Sequence, residues 1–266
     1  MICILVGYIE NYDKISHMVI QSFKTHKITG ADTDILPILD QYLPSLEENS
    51  IVVITSKIIA ICEGNMVAET DSTKDELVAQ EADLYIPKEE NKYGVYITIK
   101  NNILAATAGI DESNTNGYFV FWPKNAQESA NKIRTYLKDK HKIKNLGVLI
   151  TDSKTTPLRW GVTGIGLAHS GFQAVNDHIG TKDLFGREFK MTKVNIMDGL
   201  ASAAVVLMGE TIEQTPLSVI SDIPFVVFQE NNPTDAELSA LNIDIDDDVY
   251  STFLKSTQWK HGKAKK

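Results

Sequence analysis

Short runs rich in Val, Ile and aromatic residues recur along this chain, bounded by Gly, Asn or Pro, and that pattern predicts strands. In the first half they read ICILVGYI (2–9), SIVVITSKIIAI (50–61), YGVYITIK (93–100), NILAATAGI (102–110) and GYFVFW (117–122). NLGVLITD (145–152), PLSVIS (216–221) and PFVVF (224–228) continue the series. Helical periodicity is clearest over 125–142, where Asn125 is an N-cap candidate behind Pro123 and Ala130, Ile133 and Leu137 share one face. A second helix is expected from Val194 to Met208, with apolar residues at Val194, Met197, Leu200, Ala204 and Leu207 and Gly209 as its C-cap. DILPILDQYL (34–43) and DELVAQEADLYI (75–86) read as shorter helices. Strands and helices mix without regular βαβα alternation, so the expected class is α+β, mixed sheets with packed helices, rather than a doubly wound sheet.

No internal repeat or low-complexity linker interrupts the pattern. A Pro-containing loop near Asn231–Pro233 separates the main body, 1–232, from a C-terminal extension, 233–266. The extension holds Asp244, Asp246, Asp247 and Asp248 and a tail with Lys260, Lys263, Lys265 and Lys266. Charge runs of this kind are solvated surface. The acidic group also lacks the glycine and distal glutamate of a calcium loop.

With 266 residues, 43% of them hydrophobic, the chain can bury one large core or two modest ones. A net charge of −9 argues against a general role on nucleic acid or anionic membranes. The opening MICILVGYIENYDK has no basic residue before its apolar run and acidic residues after it, so it reads as a first strand and not a signal peptide. No window approaches the roughly 18–20 apolar residues of a membrane span. Cys3 and Cys62 have no ligand-type spacing, and a soluble, cytoplasmic protein is expected.

Two strand-like runs end on a bare aspartate. AGIDESN surrounds Asp111 with Gly, Ser and Asn, and VLITDS delivers Asp152 followed by Ser153. Alone, each is an ordinary turn residue or cap. Together they can converge at a sheet end, and hard divalent ions are held by one or two carboxylates plus substrate phosphates. Glu210, in MGE after the second long helix, sits where the helix dipole disfavours a carboxylate unless a cation offsets it. GIGLAHSG (164–171) offers a GxG without the full dinucleotide fingerprint, and no phosphate loop or nucleophile elbow is present. His169 and His178 read as structural histidines rather than a zinc pair. Arg159, Lys182 and Arg187 lie in glycine-punctuated loops, by default at the surface.

AGIDESN, VLITDS, RWGVTGIGLAHSGF (159–172), IGTKDLFGRE (179–188) and LASAAVVLMGE (200–210), in that order, resemble the coenzyme F420-0:L-glutamate ligase family. The likeness runs with little or no gap from about Asn102 to Glu210 and more loosely back through VVITSKIIAICEG (52–64). It implies a catalytic unit over 1–232 and a homodimeric, GTP-dependent γ-glutamyl ligase. Such an enzyme uses two divalent cations, Mg²⁺ or Mn²⁺, with a monovalent cation such as K⁺ assisting. The acceptor carboxylate becomes an acyl phosphate, which the amine of L-glutamate attacks to give a γ-linked amide. The resemblance places Asp111 and Asp152 at the first metal and Ser153 and Glu210 at the second. It places Ser56, Lys57, Asn114, Met208 and Gly209 at the nucleotide, and assigns no residue to the chemical step itself.

Departures from the family pattern fall around the nucleotide and acceptor sites. Ser153 replaces a threonine, Thr155-Thr156 a Gly-Arg pair, Ile61 a lysine, and HKIT (26–29) a Leu-Pro segment. The acceptor is accordingly read as F420-0 or a folate. A non-catalytic nucleotide-binding homologue and a metal-dependent nucleotide phosphohydrolase are the alternative readings.

Overall fold

The computed structural model describes residues 18–263. The chain begins with β1 (Val19–Phe23), α1 (Ile35–Tyr42), β2 (Ser50–Thr55), α2 (Ser56–Cys62) and β3 (Met66–Ala68). It continues with α3 (Lys74–Glu81), β4 (Leu84–Ile86), β5 (Ile97–Lys100), β6 (Ile103–Ala106) and β7 (Tyr118–Val120). Next come α4 (Ala126–His141), β8 (Leu146–Thr155), β9 (Val162–Ser170), β10 (Val175–Asp177) and β11 (Lys193–Asn195). The last elements are α5 (Ile196–Met208), β12 (Leu217–Ser221), α6 (Asp235–Ser239), α7 (Ser251–Ser256) and β13 (Lys260–His261). None of the described helices is long and apolar enough to cross a membrane.

The main sheet has the order β1-β12-β2-β8-β9, with β2 and β8 parallel and the other pairs antiparallel. Strand alternation divides its side chains between two cores. Val52, Ile54, Val148 and Ile150 pack with Leu39 of α1, Ile58 and Ile59 of α2, and Ala130, Ile133 and Leu137 of α4. Ile51, Val53, Leu149 and Ile220 meet Met197, Leu200, Ala201, Ala204 and Met208 of α5 on the other face. β2 and β8 are therefore covered on both sides, which explains why they read as continuous apolar runs.

A smaller sheet, β13-β4-β5-β6, and the β3-β7 pair flank the main sheet. The fold is α+β, as the element pattern predicts. The C-terminal extension lies along the smaller sheet. Asn102 Nδ2 donates to Ile243 O at 3.0 Å, and β13 pairs with β4. Upstream, the buried Arg134 of α4 donates to Leu146 O, to Gln229 O and Glu230 O, and to Asn232 Oδ1.

Gly164 and Gly166 serve packing. A Cβ on Gly164 would lie 2.4 Å from the Ala201 carbonyl oxygen of α5, and one on Gly166 would strike Met197. The GxG of β9 thus lets a helix approach a strand closely. β8 and β9 shift register between Ile150 and Thr151, and Gly166 N–H is taken by Asp198 Oδ1 of α5 at 2.9 Å.

Several expectations need correction. SKIIAI is helical from Ser56, since burial of Ile58, Ile59 and Ile61 on α2 outweighs their β-branched preference. The 75–86 segment splits: α3, with a Thr73/Glu76 capping box, stops at Glu81, and LYI joins the smaller sheet as β4. PFVVF forms no strand and makes only an isolated bridge from Phe228 to Phe172; Phe225 has φ 65° and faces solvent. GIGLAHSG, read only as an incomplete GxG, supplies most of β9. The ICILVGYI run lies outside the described residues.

Two consequences for stability follow. Gly164→Val should cost about 2 kcal/mol or more, because a backbone carbonyl cannot yield as a side chain can, and a lowered urea midpoint measures it. His169 is 2% exposed, and burial holds its imidazole down to about 4. Below about pH 6.5 the unfolded chain binds a proton that the native state refuses, so stability falls between pH 6.5 and 4 by about 3 kcal/mol. Urea titrations across that window should show the slope, and His169→Gln should flatten it.

Candidate active site

A cleft of about 1030 Å³ opens where the parallel strands β2 and β8 end. Ser56, Lys57, Asp111, Asn114, Asp152, Ser153, Met208, Gly209 and Glu210, every residue singled out by the resemblance, line it. Four parts of the chain supply them: the start of α2, the loop after β6, the end of β8, and the C-terminus of α5.

The loop after β6 is shaped by three consecutive left-handed residues, Thr107 (φ 52°), Ala108 (φ 52°) and Gly109 (φ 71°). Thr98 Oγ1 accepts the Ala108 N–H at 2.8 Å, steadying this turn. Asp111 then exchanges both backbone hydrogen bonds with Val120, at 2.9 and 2.8 Å. Its carboxylate accepts the Ser113 N–H at 2.7 Å and pairs with Lys57 Nζ at 2.6 Å. Burial opposes the Asp111 charge, but the bonds and charge of Lys57 and the Ser113 N–H outweigh it and hold the carboxyl below its usual range.

Asp152 is held differently. Its Oδ1 accepts the Ser153 N–H at 2.8 Å, and its Oδ2 accepts the indole N–H of Trp122. Although part of its surface faces the cleft, protein crowds it closely. Burial first, and the Asp111 charge second, push the carboxyl up to about 6 against the pull of its two donors. Glu210 follows the left-handed Gly209 (φ 78°) that ends α5. Burial and the Asp111 charge raise it, while the Ser153 hydroxyl and Lys57 pull it back. Asn114 Nδ2 donates to Thr211 O at 3.0 Å, pinning the Asp111 loop to the segment that carries Glu210.

The remaining candidates shape the walls. Ser56 is buried at the first turn of α2, and Met208 packs in the core beneath the cleft. Ile61 packs against Val120 and also lines the cleft, so the cation on this face of α2 is Lys57, one turn earlier. Arg159, Lys182 and Arg187 are exposed and outside the cleft lining, and His169 is a core residue on Phe172. Trp122 was missed in the sequence. A buried indole N–H needs an acceptor, and a Trp at the end of a strand-like run was the available sign.

The donor set is all oxygen; Lys57 is the cation that acts on Asp111, Asp152 and Glu210, while Lys27 and His26 line the cleft elsewhere. Among the described residues, no group of three or more His, Cys, Asp or Glu side chains gathers into a self-sufficient metal site. Two carboxylates with room beside them fit magnesium or manganese held jointly by protein and substrate phosphates.

Known proteins resemble this chain in sequence. The family model described as F420-0:Gamma-glutamyl ligase matches residues 4–222. The chain is 36% identical over 201 residues to a coenzyme F420:L-glutamate ligase of Methanococcus maripaludis strain C6, covering 70% of this chain and 80% of that one. It is 33% identical over 218 residues to the protein of the same name from Methanocaldococcus jannaschii, covering 74% and 84%. A third, from Methanopyrus kandleri, is 40% identical over 119 residues, covering 44% and 47%. With a matching model across most of its length and relatives of this similarity, the chain belongs to the F420-0:gamma-glutamyl ligase family.

Proposed function

We propose that this protein is a GTP- and divalent-cation-dependent γ-glutamyl ligase. It joins the amine of L-glutamate to a carboxylate acceptor, F420-0 or a folate; the relatives' names favour F420-0. The observation that carries the reading is the gathering of Asp111, Asp152, Ser153 and Glu210 in one cleft with room for a nucleotide and an acceptor.

In this reading, an acceptor carboxylate oxygen attacks the γ-phosphorus of GTP, the bond to the β-phosphate oxygen breaks, and GDP leaves. The glutamate amine then attacks the acyl carbon, a C–N bond forms, phosphate departs and the amine loses a proton. Such transfers depend on positioning and on offsetting phosphate charge more than on covalent help. Asp111 and Asp152 would hold one divalent ion, and Ser153 and Glu210 a second. When bound, these ions neutralise charge on the phosphate oxygens.

The chain's own groups do the rest. Lys57, ion-paired at one side of the cleft, keeps Asp111 ionised. The Asn114 amide ties two lining segments together, so the acidic groups keep their spacing. Ile58, Ile61, Met66, Val162, Val205 and Met208 supply apolar wall. An acyl phosphate hydrolyses in water, and such walls limit its access.

The test is incubation with GTP, Mg²⁺ or Mn²⁺, L-glutamate and either F420-0 or a reduced folate. A mass gain of one glutamyl unit on either acceptor is expected. Glutamate-independent GDP release would mark a phosphohydrolase, and nucleotide binding without turnover a non-catalytic homologue. Asp152→Asn should lower kcat by more than about a hundredfold, since a lost metal ligand forfeits several kcal/mol of charge stabilisation. The fold should persist with at most a modest fall in thermal midpoint, because the change removes a crowded charge and almost no volume but leaves one of two N–H donors unmet. Full activity in that variant would remove Asp152 from the site.

A further inference from the structure

We infer that Trp122 is a positioning residue for Asp152, its indole N–H fixing the carboxylate so that the remaining oxygen lone pairs stay turned to the cleft. The inference rests on the reading of this cleft as a divalent-cation site.

The two aspartates are held by different chemistry. Asp111 gives one oxygen to a lysine ammonium, which offsets its charge. Asp152 is held only by neutral donors, a backbone N–H and an indole N–H. An ionised carboxylate has about four acceptor positions, so two fixed donors orient the group and leave acceptor capacity for a cation. Neutral donors also leave the full negative charge available. Indole is a donor without acceptor capacity, so it does not compete for the cation.

The ring is locked from several sides. Gly109 lies against it: a Cβ there would come within 2.1 Å of Trp122 Nε1. Asn65 Nδ2 donates to the Trp122 carbonyl at 2.7 Å. Lys100, a mostly buried lysine, places Nζ 5.4 Å from the ring centroid and reaches Glu81 Oε2 at 2.5 Å. A cation over an indole face is attracted to the π-system. It also draws electron density from the ring and makes the N–H a stronger donor. Gly109, Lys100 and Trp122 thus form a support running from the Glu81 ion pair to the cleft. Groups that orient metal-binding residues typically contribute 10–100-fold in metal affinity.

The experiment uses the intact protein with GDP present. Mn²⁺ binding is followed by electron paramagnetic resonance for wild type, Trp122→Phe and Lys100→Met. Trp122→Phe keeps an aromatic ring and removes the N–H; its Mn²⁺ dissociation constant should rise about tenfold while the fold persists by circular dichroism. Lys100→Met should shift affinity in the same direction by a smaller factor. A second measurement needs no variant to fold: in wild type, the Trp122 indole N–H resonance should move on addition of Mg²⁺, while those of Trp160 and Trp259 stay in place. Unchanged Mn²⁺ affinity in a folded Trp122→Phe protein, or an unmoved Trp122 resonance in a wild type that binds Mn²⁺, overturns the inference alone. A wild type that takes up no Mn²⁺ overturns the cation reading of the cleft and this inference with it.

Discussion

One short strand end holds the two central carboxylates in one place. Val120 is paired through its backbone with Asp111, and Trp122, two residues on, reaches Asp152 on a different sheet. Like charges in a shared, partly desolvated space repel, and flexible loops would let them drift apart. Here the separation is set by backbone bonds on one side and an immobile indole on the other. The spacing of the two aspartates at the cleft depends on that constraint.

The resulting electrostatics are lopsided. Asp111 has a lysine and is held in its charged form, whereas Asp152 and Glu210 are raised by burial with the Asp111 charge adding to it. A purely structural network would pair each acid. The cation and charged substrate proposed for this site would resolve that imbalance. The substitution at Ile61 leaves this balance intact, because Lys57 stands one turn earlier on the same helix and reaches the loop at Asp111 and Ser113.

Much of this was legible in the sequence. Strand-end aspartates followed by small polar residues, and a carboxylate just after a helix, are local patterns; the structure brings Asp111, Asp152, Ser153 and Glu210 to one cleft. The two long helices, with Asn125 and Gly209 as caps, were also readable. What escaped depends on partners distant in sequence. The Ile-rich SKIIAI turns helical because its isoleucines are buried against parts of the chain distant in sequence. The glycines of β9 take their purpose from a helix some thirty residues later. Trp122 looked like one more apolar strand residue, since nothing near it in sequence reveals that its N–H meets Asp152. PFVVF has strand composition but no neighbour offering a free edge beyond a single bridge at Phe172.

Arg134 carries a further implication for the last stretch of chain. Its guanidinium is buried without a carboxylate, and three of its hydrogen bonds end on Gln229, Glu230 and Asn232. A shortened protein ending before residue 229 would strand those donors inside α4, at about 1–3 kcal/mol for each buried group left unmet. Severing that stretch would loosen the helix that covers β8 and β9 and not merely trim the margin of the fold.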